Sequence, residues 1–203
     1  MRRTVLEGER KGLNISLPDW VLYRSRGFSK FESFAMLTTF SFLAFFSTAF
    51  MWELMGWRVL LQLAGIGIIA IVGEILVSSQ GYYHYTRQIT NGPFIRNVPL
   101  WIPFLWIFSI QSGFLIGLVI GLSGVAACIF SGIFAVIFDL ILLEPYFSRR
   151  KGFWIWTSVE NGYFSFIPKR IDRFTAPPGN YIVWWIFPIM LNYAVVILSF
   201  LIP

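Results

Sequence analysis

Residues 98–143 read VPLWIPFLWIFSIQSGFLIGLVIGLSGVAACIFSGIFAVIFDLILL, which is apolar almost throughout. It carries no charged residue before Asp139. A helix that crosses the hydrocarbon core of a membrane needs about 20 apolar residues, so 46 positions are too many for one span. Ser123 and Gly124 provide a turn in the middle. The stretch therefore predicts two transmembrane helices, at residues 99–122 and 125–143.

Three further apolar runs surround this stretch, at residues 33–52, 59–79 and 181–201. The chain is 57% hydrophobic and only 13% charged, whereas soluble domains carry about 25% charged residues. The sequence thus predicts an all-α, polytopic membrane helix bundle with five transmembrane helices. We expect residues 33–203 to form this transmembrane domain, with Glu144 and Pro145 ending the fourth span.

The N-terminal segment, residues 1–32, holds seven Lys/Arg and four Asp/Glu among scattered apolar side chains. It is interpreted as a basic cytoplasmic segment, which either is solvated or forms an amphipathic helix on the membrane surface. Its first 30 residues are too polar for a cleavable signal peptide, so we expect the first apolar run to direct insertion.

The distribution of basic residues predicts the orientation. Fifteen of the sixteen Lys/Arg residues lie in the N-terminal segment and in the loops at 80–98 and 144–180, and Arg58 alone lies on the other side. Cytoplasmic loops carry such an excess. We therefore expect a multi-pass cell-membrane protein with a cytoplasmic N-terminus. The net charge of +6 then favours membrane lipid as a partner and argues against nucleic acid.

The chain contains one cysteine, Cys128, and one histidine, His84. An intramolecular disulfide and a Cys/His metal site are therefore excluded. No dinucleotide-binding or Walker motif is present. We expect neither a metal nor a cofactor.

Two acidic residues lie inside predicted spans, Glu74 in the second and Asp139 in the fourth, and Glu144 follows at the same end. Ionisable groups in a membrane are costly and commonly functional. Because the first two lie at a similar depth, we predict a shared cavity near the cytoplasmic boundary. Burial and neighbouring carboxyls favour the protonated form that general acid catalysis requires. Alternatively, each acid pairs with a basic residue such as Arg87 or Arg149.

Aromatic residues follow the fourth span, among them Trp154 and Trp156. Their ring faces either stabilise a cation or anchor the chain at the membrane interface, and we place Trp184 and Trp185 at that interface as well. Asn180 opens the fifth span. It either caps the helix or forms a hydrogen bond in the acidic cavity.

Five short motifs stand in order along the chain: GYYHY at 81–85, GPFIRNVPLWIPFLW at 92–106, DLILLEP at 139–145, GFWIW at 152–156 and PGNYIVWW at 178–185. Glu74 precedes the first of them. Together they resemble the motifs of the carotenoid biosynthesis membrane protein family, which includes carotenoid hydratases. The chain looks like a diverged member, because its loop at 157–177 is longer and more basic than the family connector.

The resemblance implies a hydratase-like lyase that adds water by acid catalysis to a terminal C=C bond of an acyclic, hydrophobic isoprenoid substrate. On this basis the catalytic residues are Glu74, Asp139 and Glu144. The implied substrate-binding residues are Tyr83, Tyr85, Trp106, Trp154, Trp156 and Asn180.

A second hypothesis is a non-catalytic integral subunit, or a lipid-binding component, of a larger membrane complex or a homo-oligomer. The surroundings of the acids distinguish the two hypotheses. An enzyme holds them around a pocket that lipid can reach, whereas a subunit buries them against a partner.

Overall fold

The computed structural model describes residues 30–159, 163–164, 166, 174 and 176–201. Within these residues, five helices are long and apolar enough to cross a membrane: α1 (Lys30–Met55), α2 (Arg58–Ser79), α3 (Trp101–Val119), α4 (Gly124–Arg150) and α5 (Pro178–Leu201). The prediction of an all-α, multi-pass membrane bundle is confirmed. The predicted N-terminal segment lies outside the described residues, apart from the start of α1.

Helix α3 lies at the centre of the bundle and packs against α1 and α4. Small residues allow the close approach to α4. A Cβ atom added at Gly113 would lie 3.0 Å from the Cα of Ser131, and one added at Gly117 would lie 3.1 Å from the Cα of Ala127. Helices in membranes commonly approach through such small residues, because packing rather than water exclusion holds them together.

Helices α4 and α5 also pack closely together. A Cβ atom added at Gly132 would collide with the backbone carbonyl oxygen of Trp185 and would lie 2.7 Å from Cγ1 of Ile189. Only glycine fits this helix crossing without moving α5.

Two of the helices depart from α-helical geometry. Helix α2 contains a π-helical turn at Ile69–Gly73, and α4 is π-helical from Asp139 to Arg150. The prediction that the fourth span ends at Glu144 and Pro145 is wrong, because the helix continues through Pro145. In an α-helix the proline ring would clash with the carbonyl four residues earlier. The wider π-helical turn relieves that clash.

The described residues of the loops include four short strands: β1 (Tyr83–Tyr85), β2 (Phe94–Ile95), β3 (Val98–Pro99) and β4 (Trp154–Trp156). Strand β1 pairs antiparallel with β4, and β2 pairs antiparallel with β3. The predicted start of the third helix at Pro99 is therefore two residues early. Pro99 belongs to the β2–β3 hairpin, and α3 begins at Trp101.

A polar network joins all five helices away from these strands; its members are Ser47, Thr48, Gln62, Gln111, Ser131 and Asn192. At its centre, Nε2 of Gln111 donates to Oε1 of Gln62 at 3.0 Å, and Nε2 of Gln62 donates to Oδ1 of Asn192 at 2.6 Å. Ser47 donates to Gln111 at 2.8 Å, and Asn192 donates to Ser131 at 2.9 Å. Buried polar groups require such partners, so the network fixes which face each helix turns inward.

Candidate active site

A cavity of about 40 Å³ lies at the end of the bundle where the β1–β4 pair covers the helices. It is lined by Glu74, Tyr83, Tyr85, Ile102, Leu105, Trp106, Asp139, Leu143, Glu144, Trp154, Trp156, Asn180 and Trp184. This set contains all nine residues that the sequence analysis names as catalytic or substrate-binding. The structure brings them together from four helices and two strands.

Glu74 lies on α2 directly after its π-helical turn and is half-buried. Its carboxylate accepts three hydrogen bonds. Tyr83 and Tyr85 both donate to Oε2, the latter at 2.9 Å, and Nε1 of Trp106 donates to Oε1 at 3.2 Å. The three donors come from β1 and α3, so this carboxyl is held in place by two other elements of the fold.

Glu144 lies in the π-helical part of α4 and is 2% exposed. Nε1 of Trp154 donates to its Oε1 at 3.2 Å, and Nε1 of Trp156 donates to its Oε2 at 2.9 Å. Each carboxylate oxygen thus has an indole donor from β4. Hydrogen bonds to a charged group are stronger than neutral ones, so this arrangement orients Glu144 firmly.

Asp139 begins the π-helical part of α4 and is 1% exposed. Nδ2 of Asn180 donates to its Oδ2 at 2.7 Å. Asn180 is therefore not the plain helix cap that was one of its two interpretations. Helix α5 begins two residues earlier, at Pro178, which leaves the Asn180 amide in the first turn and facing the acid.

The β1–β4 pair covers the cavity with aromatic rings. Because neighbouring side chains of a strand point to opposite faces, Tyr83 and Tyr85 share the inner face with Trp154 and Trp156, while His84 turns outward. The ring centroids of Tyr83 and Trp156 are 4.7 Å apart, and those of Tyr85 and Trp154 are 6.2 Å apart. These rings face the cavity, which argues against simple interface anchoring.

Tyr85 is a stable hydrogen-bond donor in this cover. Burial raises the pKa of the Tyr85 phenol well above its ordinary value, and the negative charges of Glu74 and Glu144 raise that pKa further. The phenol therefore keeps its proton and donates a hydrogen bond to Glu74.

Three carboxyls meet at the cavity, and none of the described residues that line it is basic. The alternative that the acids pair with Arg87 or Arg149 is not what the structure shows. Arg87 donates to the backbone carbonyl of Arg96 at 2.7 Å and lies 4.3 Å from the ring centroid of Phe94, and Arg149 is exposed. Among the described residues, no cluster of three His, Cys, Asp or Glu side chains is arranged to hold a metal ion.

Four lining residues are not predicted from the sequence, and Trp184 is the most informative of them. Trp184 is predicted at the membrane interface, but it is 5% exposed and stacks on Trp106 with a centroid distance of 4.7 Å. Its position four residues after Asn180 puts both on one face of α5, and this spacing was the available signal. The other three, Ile102, Leu105 and Leu143, are apolar residues without a distinguishing pattern.

Comparison with known proteins identifies the family of this chain. The family model described as "Carotenoid biosynthesis protein" matches residues 33–200, which include all five helices almost completely. Neither a search of curated proteins nor a search of solved structures gave a match. Since the matched region is most of the chain, this protein belongs to the carotenoid biosynthesis protein family and has a role in carotenoid biosynthesis.

Proposed function

We propose that this protein is a carotenoid hydratase, which adds water to a terminal C=C bond of an acyclic isoprenoid in the membrane. One observation carries the proposal: three carboxyls line one small cavity under aromatic rings. Such carboxyls cannot all ionise at moderate cost, because burial and mutual repulsion both oppose it. The site is therefore suited to hold a proton for delivery to an alkene.

The reaction balances with the groups present. A protonated carboxyl gives its proton to the less substituted carbon of the double bond, and the pair of π electrons forms the new C–H bond. The more substituted carbon becomes a tertiary cation. Water then forms a C–O bond to that cation, and a carboxylate takes the proton that the water releases. The net change in the substrate is the addition of one water, which gives a tertiary alcohol, and return of the accepted proton to the donor carboxyl resets the site.

The hydrogen bonds suggest how these roles divide. Donors to a carboxyl stabilise its ionised form. Glu74 accepts three such bonds and Glu144 accepts two from indoles, whereas the described donor to Asp139 is the amide of Asn180. We therefore assign Asp139 as the proton donor, and Glu74 and Glu144 as the carboxylates that orient water and accept its proton.

The cavity and its rings fit the remaining steps. A water molecule needs about 10–15 Å³ of cavity, so the volume of about 40 Å³ accommodates the second reactant. The faces of Trp and Tyr stabilise a nearby cation, by ~0.5–2 kcal/mol for each contact. Because the indole N–H groups of Trp154 and Trp156 are bound to Glu144, these two rings position that carboxylate as well as shielding the cation.

The test is conversion of lycopene, an acyclic carotene, in a producing host that expresses the gene. Mass spectrometry should find a product heavier by one water. In membranes that already contain unlabelled lycopene, heavy-oxygen water should label the product's hydroxyl group, and D₂O should place deuterium on the adjacent carbon. This labelling distinguishes hydration from oxygenation by O₂. If several acyclic isoprenoids give no hydrated product, the non-catalytic membrane subunit becomes the better account.

A further inference from the structure

The carboxyl cavity is too small for one of the two reactants, the isoprenoid chain. Its volume of about 40 Å³ accommodates water, but it does not accommodate an isoprenoid chain. The hydrocarbon must therefore lie against another surface that adjoins the cavity.

A second cavity meets this requirement. It is an apolar groove of about 330 Å³ between α4 and α5, lined by Ile133, Val136, Ile137, Tyr181, Ile182 and Trp185. Its volume falls in the range of about 300–1,000 Å³ that is typical of ligand pockets. About half of the surface of Ile133, Ile137 and Ile182 is exposed, so the groove opens toward the membrane lipid.

The two walls of the groove lead, along α4 and α5, to residues of the carboxyl site. Val136 lies three residues before Asp139 on the same face of α4, and Tyr181 follows Asn180 on α5. The hydrogen bond between Asn180 and Asp139 therefore joins the two walls at the inner end of the groove. At the other end, Gly132 draws α4 against α5 and closes the groove.

We infer that this groove binds the hydrocarbon chain of an acyclic isoprenoid and directs its terminal double bond to Asp139. The inference rests on the proposed hydration for the meaning of that double bond. Its physical basis is independent: an apolar, lipid-facing channel of ligand size that ends beside an acid held between its two walls. The remainder of a long chain extends from the groove into the bilayer.

The experiment measures lycopene that remains with the protein. The chain is produced in a lycopene-producing host and purified in nanodiscs, and lycopene is extracted and quantified for each mole of protein, with empty nanodiscs as the blank. Ile133→Trp fills the groove. Ile129→Trp is the matched control, since Ile129 lies one turn earlier on α4 with almost the same exposure, 48% against 46%, and is not part of the groove.

We expect Ile133→Trp to lower the retained lycopene by about tenfold or more, which corresponds to ~1.4 kcal/mol. Ile129→Trp should retain as much as the wild type. Ile182→Trp, on the opposite wall, should also lower the retained lycopene. This second variant controls for a folding defect caused by the substitution at Ile133. The inference is overturned if the wild type retains no more than empty nanodiscs, or if both groove variants retain lycopene like the wild type.

The two proposals fail in different ways. Groove-dependent retention of lycopene without a hydrated product supports the binding groove and refutes the proposed hydration. A hydrated product whose yield is equal in the wild type and both groove variants supports the hydration and refutes the binding groove.

Discussion

Asn180 of α5 donates a hydrogen bond of 2.7 Å to Asp139 of α4, across 41 positions of sequence. This bond fixes one oxygen of the acid and leaves the carboxyl facing the cavity. The acid thus depends on a second helix for its orientation. A substitution can therefore remove the acidic proton of Asp139 and still keep its hydrogen bond to Asn180.

Asp139→Asn should nearly abolish hydration while the protein still inserts. The amide keeps an oxygen that accepts from Asn180, but it has no acidic proton to transfer. Loss of a general acid costs about 10²–10⁴-fold in rate. The measurement is hydrated product formed per unit of membrane-inserted protein. Glu53→Gln is the control, because that acid is exposed and is not part of the cavity lining. Full activity of Asp139→Asn would refute the assignment of Asp139 as the proton donor.

Trp156→Phe should separate the two functions of an indole in the cover. Phenylalanine keeps an aromatic face toward the cavity but cannot donate to Glu144. Hydrogen bonds to charged groups contribute about 1.5–3 kcal/mol, so we expect the turnover of lycopene to fall by about tenfold to a hundredfold. Trp52→Phe, at an exposed tryptophan of α1, should change nothing. If Trp156→Phe behaves like the wild type and Trp156→Leu does not, the ring face alone matters and the positioning role is wrong.

Tyr85 should remain neutral in mildly alkaline solution. Burial raises its pKa, and the charges of Glu74 and Glu144 act in the same direction. An ordinary tyrosine is half ionised at about pH 10, so at that pH Tyr85→Phe should show the same tyrosinate absorbance as the wild type. A difference between the two titrations should appear only at higher pH. Loss of one tyrosine's absorbance at about pH 10 in the variant would contradict this.

Gly132→Ala should destabilise the bundle. The new methyl group would meet the backbone of α5 at Trp185, and overpacking of this kind costs about 1–3 kcal/mol. The measurement is the midpoint of thermal unfolding in detergent. Gly67→Ala is the control, because a Cβ atom there meets nothing within 4 Å. An equal midpoint for both variants would show that α4 and α5 can separate without cost.

The orientation of the chain is open to direct labelling. We predict that the loops at 80–98 and 144–180 face the cytoplasm, because they carry the basic residues. In a Cys128→Ala background, Glu53→Cys should react with a membrane-impermeant reagent from outside the cell, and Ser158→Cys only after the membrane is opened. Both native residues are exposed. Labelling of both positions from the same side would refute the predicted topology.

The five spans follow from the sequence because apolar length is a local property. The sequence does not predict where the spans end, because a proline can be accommodated in more than one way. Pro145 ordinarily stops a helix, and only the wider turn of the π-helical segment lets α4 continue to Arg150. Pro99 suits the first turn of a helix equally well, yet pairing with Phe94 places it in a strand.

The sequence predicts which acidic residues form the candidate site, but it does not predict which residues pair across it. Acids inside apolar spans are conspicuous, which is why Glu74 and Asp139 can be selected from the sequence alone. The pairing of Tyr83 with Trp156 joins positions far apart in the chain, and three-residue strands give no periodic signal of their own. Trp184 was missed because an aromatic ring near a span end is more often an interface anchor.

The polar network around Gln111 has a consequence for the way the molecule admits a reactant. On α4, Ser131 of the network lies eight residues from Asp139, about 12 Å along the helix axis. All five helices are fastened to one another at that level, and a sliding or rocking motion of one helix would break several buried hydrogen bonds at once. We therefore expect the five helices to keep their relative positions at this level when a reactant enters the carboxyl cavity.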